Sequence, residues 1–290
     1  MKEIRLPQGT VRYRDEGAGE PIVLVHGLLT DGELWREVIP LLAKDFRVLA
    51  PDWPLGSQQL PLEPAADLSP PGVARTIADF IAALDLQNVT LVGNDTGGAL
   101  CQLVATEHPQ RLGRLVLTPC DAYEHFPPAL FAPLGVLARV PGSLWVIGQT
   151  LRPRWARRLP TAYGWVTKRA DDALLASWLR PAQTSREIRR QLARFLIGVD
   201  KRYTLAAAAR FGSFTKPVLI AWAPEDRFFK LADGERLARE FPNARMELIE
   251  DSYTFVPIDQ PQRTAELIAQ FAREPLAQPA ESAHARGDAQ

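Results

Sequence analysis

Five short, almost wholly apolar runs, each followed by a stretch with helical spacing, constrain this chain more than any other feature. They are Pro21-Ile-Val-Leu-Val-His26, Phe46-Arg-Val-Leu-Ala50, Val89-Thr-Leu-Val-Gly93, Arg114-Leu-Val-Leu-Thr118 and Val218-Leu-Ile-Ala-Trp222. A strand exposed on one face alternates apolar and polar residues, whereas a run with no alternation is buried on both faces. Thr10 to Asp15 does alternate, as a strand should. Helical spacing is read over Leu34–Leu42, Val73–Leu84, Ala99–His108, Leu231–Phe241 and Gln262–Phe271, with a further strand at Arg245–Ile249. Strands alternating with helices predict an α/β fold: a mostly parallel, twisted sheet flanked by helices on both faces.

Between about Ala122 and Gly212 the alternation stops. That stretch is helical only, and it is broken by Pro127, Pro128, Pro133, Pro141, Pro153, Pro160 and Pro181. It predicts a helical lid at 122–212 inserted into a core formed by 1–121 and 213–274. The remaining 275–290, rich in Ala, Pro and Ser, is expected to be disordered. The formal net charge is zero, so nothing in the global balance points to nucleic acid. The first twenty residues include Lys2, Glu3, Arg5, Arg12 and Arg14 and carry no apolar run, so neither a signal peptide nor an anchor is expected. No membrane span is expected elsewhere, and the expectation is a cytoplasmic protein. Cys101 and Cys120 form neither a disulfide framework nor a zinc pattern. No metal or cofactor is expected, and oligomeric state is left open.

The chemistry centres on Gly93-Asn94-Asp95-Thr96-Gly97-Gly98, between a strand and a helix. Small residues flank a central nucleophile where the turn is sharp. The sequence here resembles the α/β-hydrolase fold family, and the aspartate at the centre resembles its haloalkane dehalogenase and epoxide hydrolase branch. In that branch the resemblance implies a carboxylate that attacks carbon and forms an ester. The alternative for Asp95 is a helix cap. His26-Gly27 resembles the family's oxyanion loop, which implies the backbone amides of Leu28 and Thr96 as oxyanion donors. His26 is read as bracing that loop, and His26, Gly27 and Asn94 as near the substrate. Ala221-Trp222-Ala223-Pro224-Glu225-Asp226-Arg227 resembles the segment that delivers the triad acid, placing Asp226 in that role; the plainer readings are a cap or an ion pair with Arg227.

At the third position the pattern breaks. In Ile249-Glu250-Asp251-Ser252-Tyr253-Thr254-Phe255-Val256, followed by Asp259-Gln260-Pro261, Thr254 stands where the family places its general-base histidine. Of the four histidines, His26 lies in the oxyanion loop, His108 ends a helix and His284 lies in the tail. His125, after the strand ending at Thr118, is either a substitute base or a lid-hinge residue. A threonine hydroxyl does not activate water near neutral pH. Three functions therefore stay open: a hydrolase-like enzyme acting on a small, largely apolar molecule through Asp95; a lyase, isomerase or cyclase that moves protons with Asp95; and a non-catalytic binding protein.

Two secondary features bear on the choice. Many dehalogenases of the branch carry a Trp after the nucleophile to hold halide, and here Thr96 follows. Epoxide hydrolases protonate the epoxide oxygen with lid tyrosines, and Tyr123, Tyr163 and Tyr203 are available, Tyr123 and Tyr163 being the candidates for substrate contact, with packing as the plainer role. The lid is also basic. From Arg139 to Arg210 there are fifteen Lys and Arg against four Asp and Glu, a net of +11, with Trp145, Trp155, Trp165 and Trp178 among them. That composition fits a cover that favours an anionic substrate or touches an anionic surface, or a solvated face balanced by an acidic core.

Overall fold

The computed structural model describes residues 1–276. Its eight-stranded sheet comprises β1 (Lys2–Leu6), β2 (Gly9–Glu16), β3 (Pro21–Val25), β4 (Arg47–Pro51), β5 (Val89–Asp95), β6 (Leu112–Cys120), β7 (Val218–Trp222) and β8 (Ala244–Leu248). Their order across the sheet is β1-β2-β4-β3-β5-β6-β7-β8. β1 and β2 pair antiparallel, as do β2 and β4, and the other neighbours are parallel. The apolar runs form the central strands for the anticipated reason. Val23, Leu91, Leu117 and Ile220 pack into one buried cluster and Ile22, Val92, Val116 and Leu219 into another, one on each face of the sheet.

Helices α1 (Ile39–Leu42), α2 (Pro70–Ala83) and α3 (Thr96–Glu107) link the first strands. Between β6 and β7 come α4 (Ala132–Leu137), α5 (Ser143–Thr150), α6 (Arg154–Arg157), α7 (Asp172–Thr184), α8 (Arg186–Gly198) and α9 (Lys201–Ala208). α10 (Leu231–Glu240) follows β7, and α11 (Val256–Asp259) and α12 (Pro261–Ala272) follow β8. The helices between β6 and β7 are tied to the core by buried polar contacts. Trp178 Nε1 donates to Asp31 Oδ1 at 2.9 Å, Ser57 Oγ to the Trp178 carbonyl at 2.7 Å, and Gln191 Nε2 to the Leu62 carbonyl at 2.8 Å. Trp178 is thus a core residue rather than part of an outer aromatic face.

Three local differences from the sequence reading have physical causes. The helix expected over Leu34–Leu42 is a 3₁₀ turn at Gly32–Trp35 followed by one turn of α1, because Pro40 has no N–H to give and its ring obstructs the preceding turn. β1 was not anticipated. Lys2-Glu-Ile-Arg-Leu6 has a largely exposed face and gains its place by pairing with β2 across a tight turn, where Gly9 adopts φ +137°. α2 begins three residues early because Ser69 caps it, its hydroxyl accepting from the Gly72 amide, with Pro70 at the first helical position. The tail expectation for 275–290 falls almost entirely outside the described residues.

Candidate active site

The site forms where β3, β5, β6 and β7 end, the edge at which a parallel sheet carries its ligands. β5 runs directly into α3 through Asp95, whose backbone stands at φ 54° and ψ −133°. A non-glycine residue rarely adopts that conformation, and it persists here because the surroundings leave no alternative. A Cβ on Gly97 would strike the carbonyls of Val25 and His26, one on Gly98 would strike Cys120 Cβ, and one on Gly93 would lie 2.7 Å from Cys101 Sγ. The three glycines let β3, β5, β6 and α3 close on one another, and that closure holds Asp95 in its strained turn.

Asp95 does not cap α3 in the usual way. Its side chain turns toward the β3 loop, where Oδ2 accepts the Leu28 N–H at 3.1 Å, and the Thr96 amide also bonds to the carboxylate. Gly27 is required at that approach, since a Cβ there would collide with Asp95 Oδ2. Burial pushes the Asp95 pKa up to about 7, with the two amides opposing the rise and the Asp226 charge adding to it.

Asp226 follows β7. Its Oδ1 accepts the amides of Phe228 at 2.7 Å and Phe229 at 2.8 Å, which fixes the carboxylate at the turn. Burial raises its pKa to about 6 despite those bonds. No ion pair joins it to Arg227 among the described residues, and the Arg227 guanidinium packs over Trp165 and Tyr253 instead. Thr254 is fully buried beside Asp226. Neither Thr254 Oγ1 nor Asp226 Oδ2 completes a hydrogen bond of good geometry. The Thr254 carbonyl accepts from Asn94 Nδ2 at 2.7 Å, so the elbow and the β8–α11 loop are bolted together through Asn94. The same amide reaches Thr118 Oγ1 at 2.8 Å.

A cavity of about 140 Å³ lies against Asp95 and Thr96. Its walls come from Leu28 and Leu29, from the inner faces of α4 and α5 (Leu134, Leu144, Ile147, Leu151), from α7 and α8 (Leu179, Leu192, Leu196) and from Phe228, Phe229 and Phe255. Besides Asp95 and Thr96, its polar lining is Thr161 and Tyr163; no Lys or Arg lines it. The positive charge of the helices between β6 and β7 therefore does not face a substrate in the cavity, and the anionic-substrate reading loses its basis. Tyr163 is buried and donates its hydroxyl to the Leu29 carbonyl at 2.6 Å; burial raises its pKa, keeping the phenol protonated.

Other expected residues lie elsewhere. His26 has both ring nitrogens engaged, Nδ1 with the Gly27 carbonyl at 2.9 Å and Nε2 accepting the Trp53 N–H at 2.8 Å. Complete burial lowers its pKa to about 4. It braces the loop that follows β3 and does not line the cavity. Asn94 is likewise a buried brace. Tyr123 packs under Arg236 and against Phe211, away from the cavity lining. His125 is half-exposed and pairs with Asp233 Oδ2 at 3.0 Å. Its place is a lid-side surface pair, which does not support its reading as a substitute base. Sequence reasoning missed Asp121, at the end of β6. Fully buried, it accepts from Thr96 Oγ1 at 3.1 Å, and burial together with the neighbouring Asp95 holds its proton on. An aspartate directly after a run buried on both faces was the available signal.

Residues 20–261 match the family model described as alpha/beta hydrolase fold. The chain belongs to this family. Haloalkane dehalogenase 2 of Mycobacterium tuberculosis is 30% identical over 269 residues, covering 90% of this chain and 91% of that protein. A 2-hydroxy-6-oxononadienedioate/2-hydroxy-6-oxononatrienedioate hydrolase of Cupriavidus pinatubonensis is 28% identical over 245 residues, 82% of each chain. Among solved structures, an ancestral haloalkane dehalogenase superposes with a TM-score of 0.76 at 20% identity, covering 94% of this chain and 98% of the other. An epoxide hydrolase does so with 0.76 at 21%, covering 93% and 97%. At those identities the structural likeness establishes the alpha/beta hydrolase fold and nothing finer.

Proposed function

We propose that this alpha/beta hydrolase acts on a small, largely apolar electrophile held under the lid, and that Asp95 attacks it to form an alkyl ester. The observation that carries the reading is the Leu28 amide on Asp95 Oδ2, at the wall of an almost wholly apolar cavity. With one oxygen held by a backbone donor, the carboxylate is oriented for attack through the other, and little reorganisation remains. An epoxide suits the cavity better than a halide. The lining includes no indole or cationic donor for a leaving halide, and the Thr96 hydroxyl is committed to Asp121. Tyr163 is at the wall as a protonated phenol. In the proposed step the Asp95 oxygen bonds to carbon, the ring C–O bond breaks, and the Tyr163 hydroxyl turns from the Leu29 carbonyl to give its proton to the alkoxide, regaining one from solvent.

Release of the ester is the weak step in this reading, since Thr254, which we take to stand at the general-base position beside Asp226, has no imidazole to offer. The enzyme is therefore expected to give a stoichiometric burst followed by slow turnover. Intact-mass spectrometry after incubation with styrene oxide, 1-bromobutane and an activated ester tests this. A covalent adduct mapping to Asp95 with the epoxide is the expected result; no adduct with any of them overturns it. A second reading, proton transfer by Asp95 in a lyase or isomerase, is favoured by its pKa of about 7, where acid and base forms are both populated at neutral pH. Asp95-dependent exchange of the α-protons of a small apolar ketone into deuterated water, without an adduct, would select it.

A further inference from the structure

Helices α4 and α5 are apolar on two sides. Their inner residues line the cavity, while Val136, Val140, Trp145 and Val146 are about half exposed or more on the outside. Trp155, on α6, is the most exposed tryptophan at 69%. Apart from Met1 and Leu248, every large hydrophobic residue exposed among the described residues lies between Leu130 and Ile197. Helices apolar all round are ordinarily covered on both sides, and an apolar patch with a polar rim marks a docking surface.

Charge identifies the occupant. Residues 139–190 include Arg139, Arg152, Arg154, Arg186, Arg189 and Arg190, and among the described residues only Arg190 of these has an ion pair, an exposed one with Glu187. Arg139, Arg186, Arg189 and Arg190 line one open groove between the α4–α5 turn and α8, beside Val140 and Trp145. A second copy of the chain would bring two such cationic grooves together, at a like-charge cost. A surface that is anionic at its edge and apolar beneath it satisfies both features. Tryptophan is favoured at the lipid interface, and arginine pairs with acidic headgroups while its stem lies along apolar groups.

We propose that the outer face of α4 and α5, with the arginine groove beside it, docks on an anionic phospholipid bilayer. Trp145, Val146 and Val140 enter the headgroup boundary, and Arg139, Arg186, Arg189 and Arg190 take lipid phosphates. Because the inner faces of the same two helices line the cavity, docking sets the cavity roughly one helix diameter, about 10 Å, from the lipid. The docking does not depend on the chemistry proposed for Asp95.

Co-sedimentation of the full chain with vesicles of phosphatidylcholine alone, and of phosphatidylcholine with about one third phosphatidylglycerol, tests it. Binding to the anionic vesicles should exceed binding to the neutral ones by at least roughly ten-fold. It should weaken as salt rises from about 0.1 M to about 1 M, where the screening length falls from about 10 Å to about 3 Å. Arg186→Gln with Arg190→Gln should lower the affinity roughly twenty-fold, at about five-fold per arginine, and Trp145→Glu with Val146→Glu should abolish binding. All four side chains lie at the surface, and an unchanged melting temperature shows that the variants fold. Absence of binding to the anionic vesicles, equal binding to both kinds, or variants that bind as the parent does would each overturn the proposal. So would self-association, seen by analytical ultracentrifugation without lipid and lost in Trp145→Glu with Val146→Glu, which would give the face to a second copy.

Discussion

Asp95 combines backbone strain, burial and proximity to two further carboxyls, an arrangement that costs stability and so is worth testing for function. Its pKa is raised from 3.8 to about 7, so the folded protein holds the Asp95 proton more tightly than the unfolded chain. The stability contributed by that proton is present below about pH 4 and lost as pH rises through about 7. Asp95→Asn should therefore abolish the adduct and also raise stability at pH 8, on the order of 1–2 kcal/mol, or a few degrees in melting temperature. Below about pH 4, where Asp95 is protonated in the folded and the unfolded states alike, the gain should vanish; a gain equal at both pH values would mean that the carboxyl is not strained by its charge. Only the ionised form attacks, so the rate of adduct formation should climb with pH to a plateau above about 7. Thr254→His offers an imidazole to the unpartnered Oδ2 of Asp226. It should speed ester release by about 10² to 10⁴, read as the lifetime of the adduct by mass. An unchanged lifetime would show that the β8–α11 loop does not present residue 254 to the ester.

At the scale of elements, the position of Thr254 depends on a carboxylate distant from the cavity. Asp259 of α11 is buried and receives the Thr167 hydroxyl at 2.7 Å, the Lys168 and Arg169 amides at 2.9 Å and 3.0 Å, and the Tyr253 amide at 3.0 Å. It ties the loop carrying Thr254 to the segment preceding α7. Removing a buried acceptor strands all of these donors, so Asp259→Ala should cost about 3 kcal/mol, lowering the melting temperature on the order of 5 °C. It should also loosen both segments together in amide exchange; loosening of one without the other would contradict the tie. Asp259 was read in the sequence only as part of a motif, because all its partners but Tyr253 lie about ninety residues away in the chain. The elbow was more legible. Gly93, Gly97 and Gly98 flank Asp95 within a strand-to-helix pattern, and local spacing is enough to recognise a turn that only small residues permit. Pro40 was equally visible, yet the apolar spacing over Leu34–Leu42 was read as one helix without weighing it, and the chain breaks there instead.

Across the whole molecule, the buried carboxyls set the pH response. Asp31 and Asp95 are raised to about 7, Asp226 to about 6, and Asp121 and Asp52 are also raised, chiefly by burial. Each contributes stability that is present below about pH 4 and lost as pH rises through its folded value. His26 acts oppositely: with a pKa lowered to about 4, its contribution is complete above about 6.5 and lost as pH falls. Five groups oppose one, so thermal unfolding should occur at higher temperature at pH 5 than at pH 8. A flat or rising profile over that range would show that these carboxyls are better solvated than their positions imply.

The parallel sheet, the strand-to-helix turn at Asp95 and the absence of histidine at 254 were all determined by the sequence alone, and the acid role of Asp226 was proposed from it. Each rests on local periodicity or on residues a few positions apart, where covalent spacing limits the possible geometries. Only the tertiary structure decided which groups face the cavity. It kept His26 and Asn94 off the cavity lining, placed His125 at the surface with Asp233, brought Asp121 beside Asp95, and directed the arginines between β6 and β7 away from the cavity. Those outcomes depend on side-chain direction and on contacts between segments distant in sequence, which burial and hydrogen bonding settle only after the chain has packed.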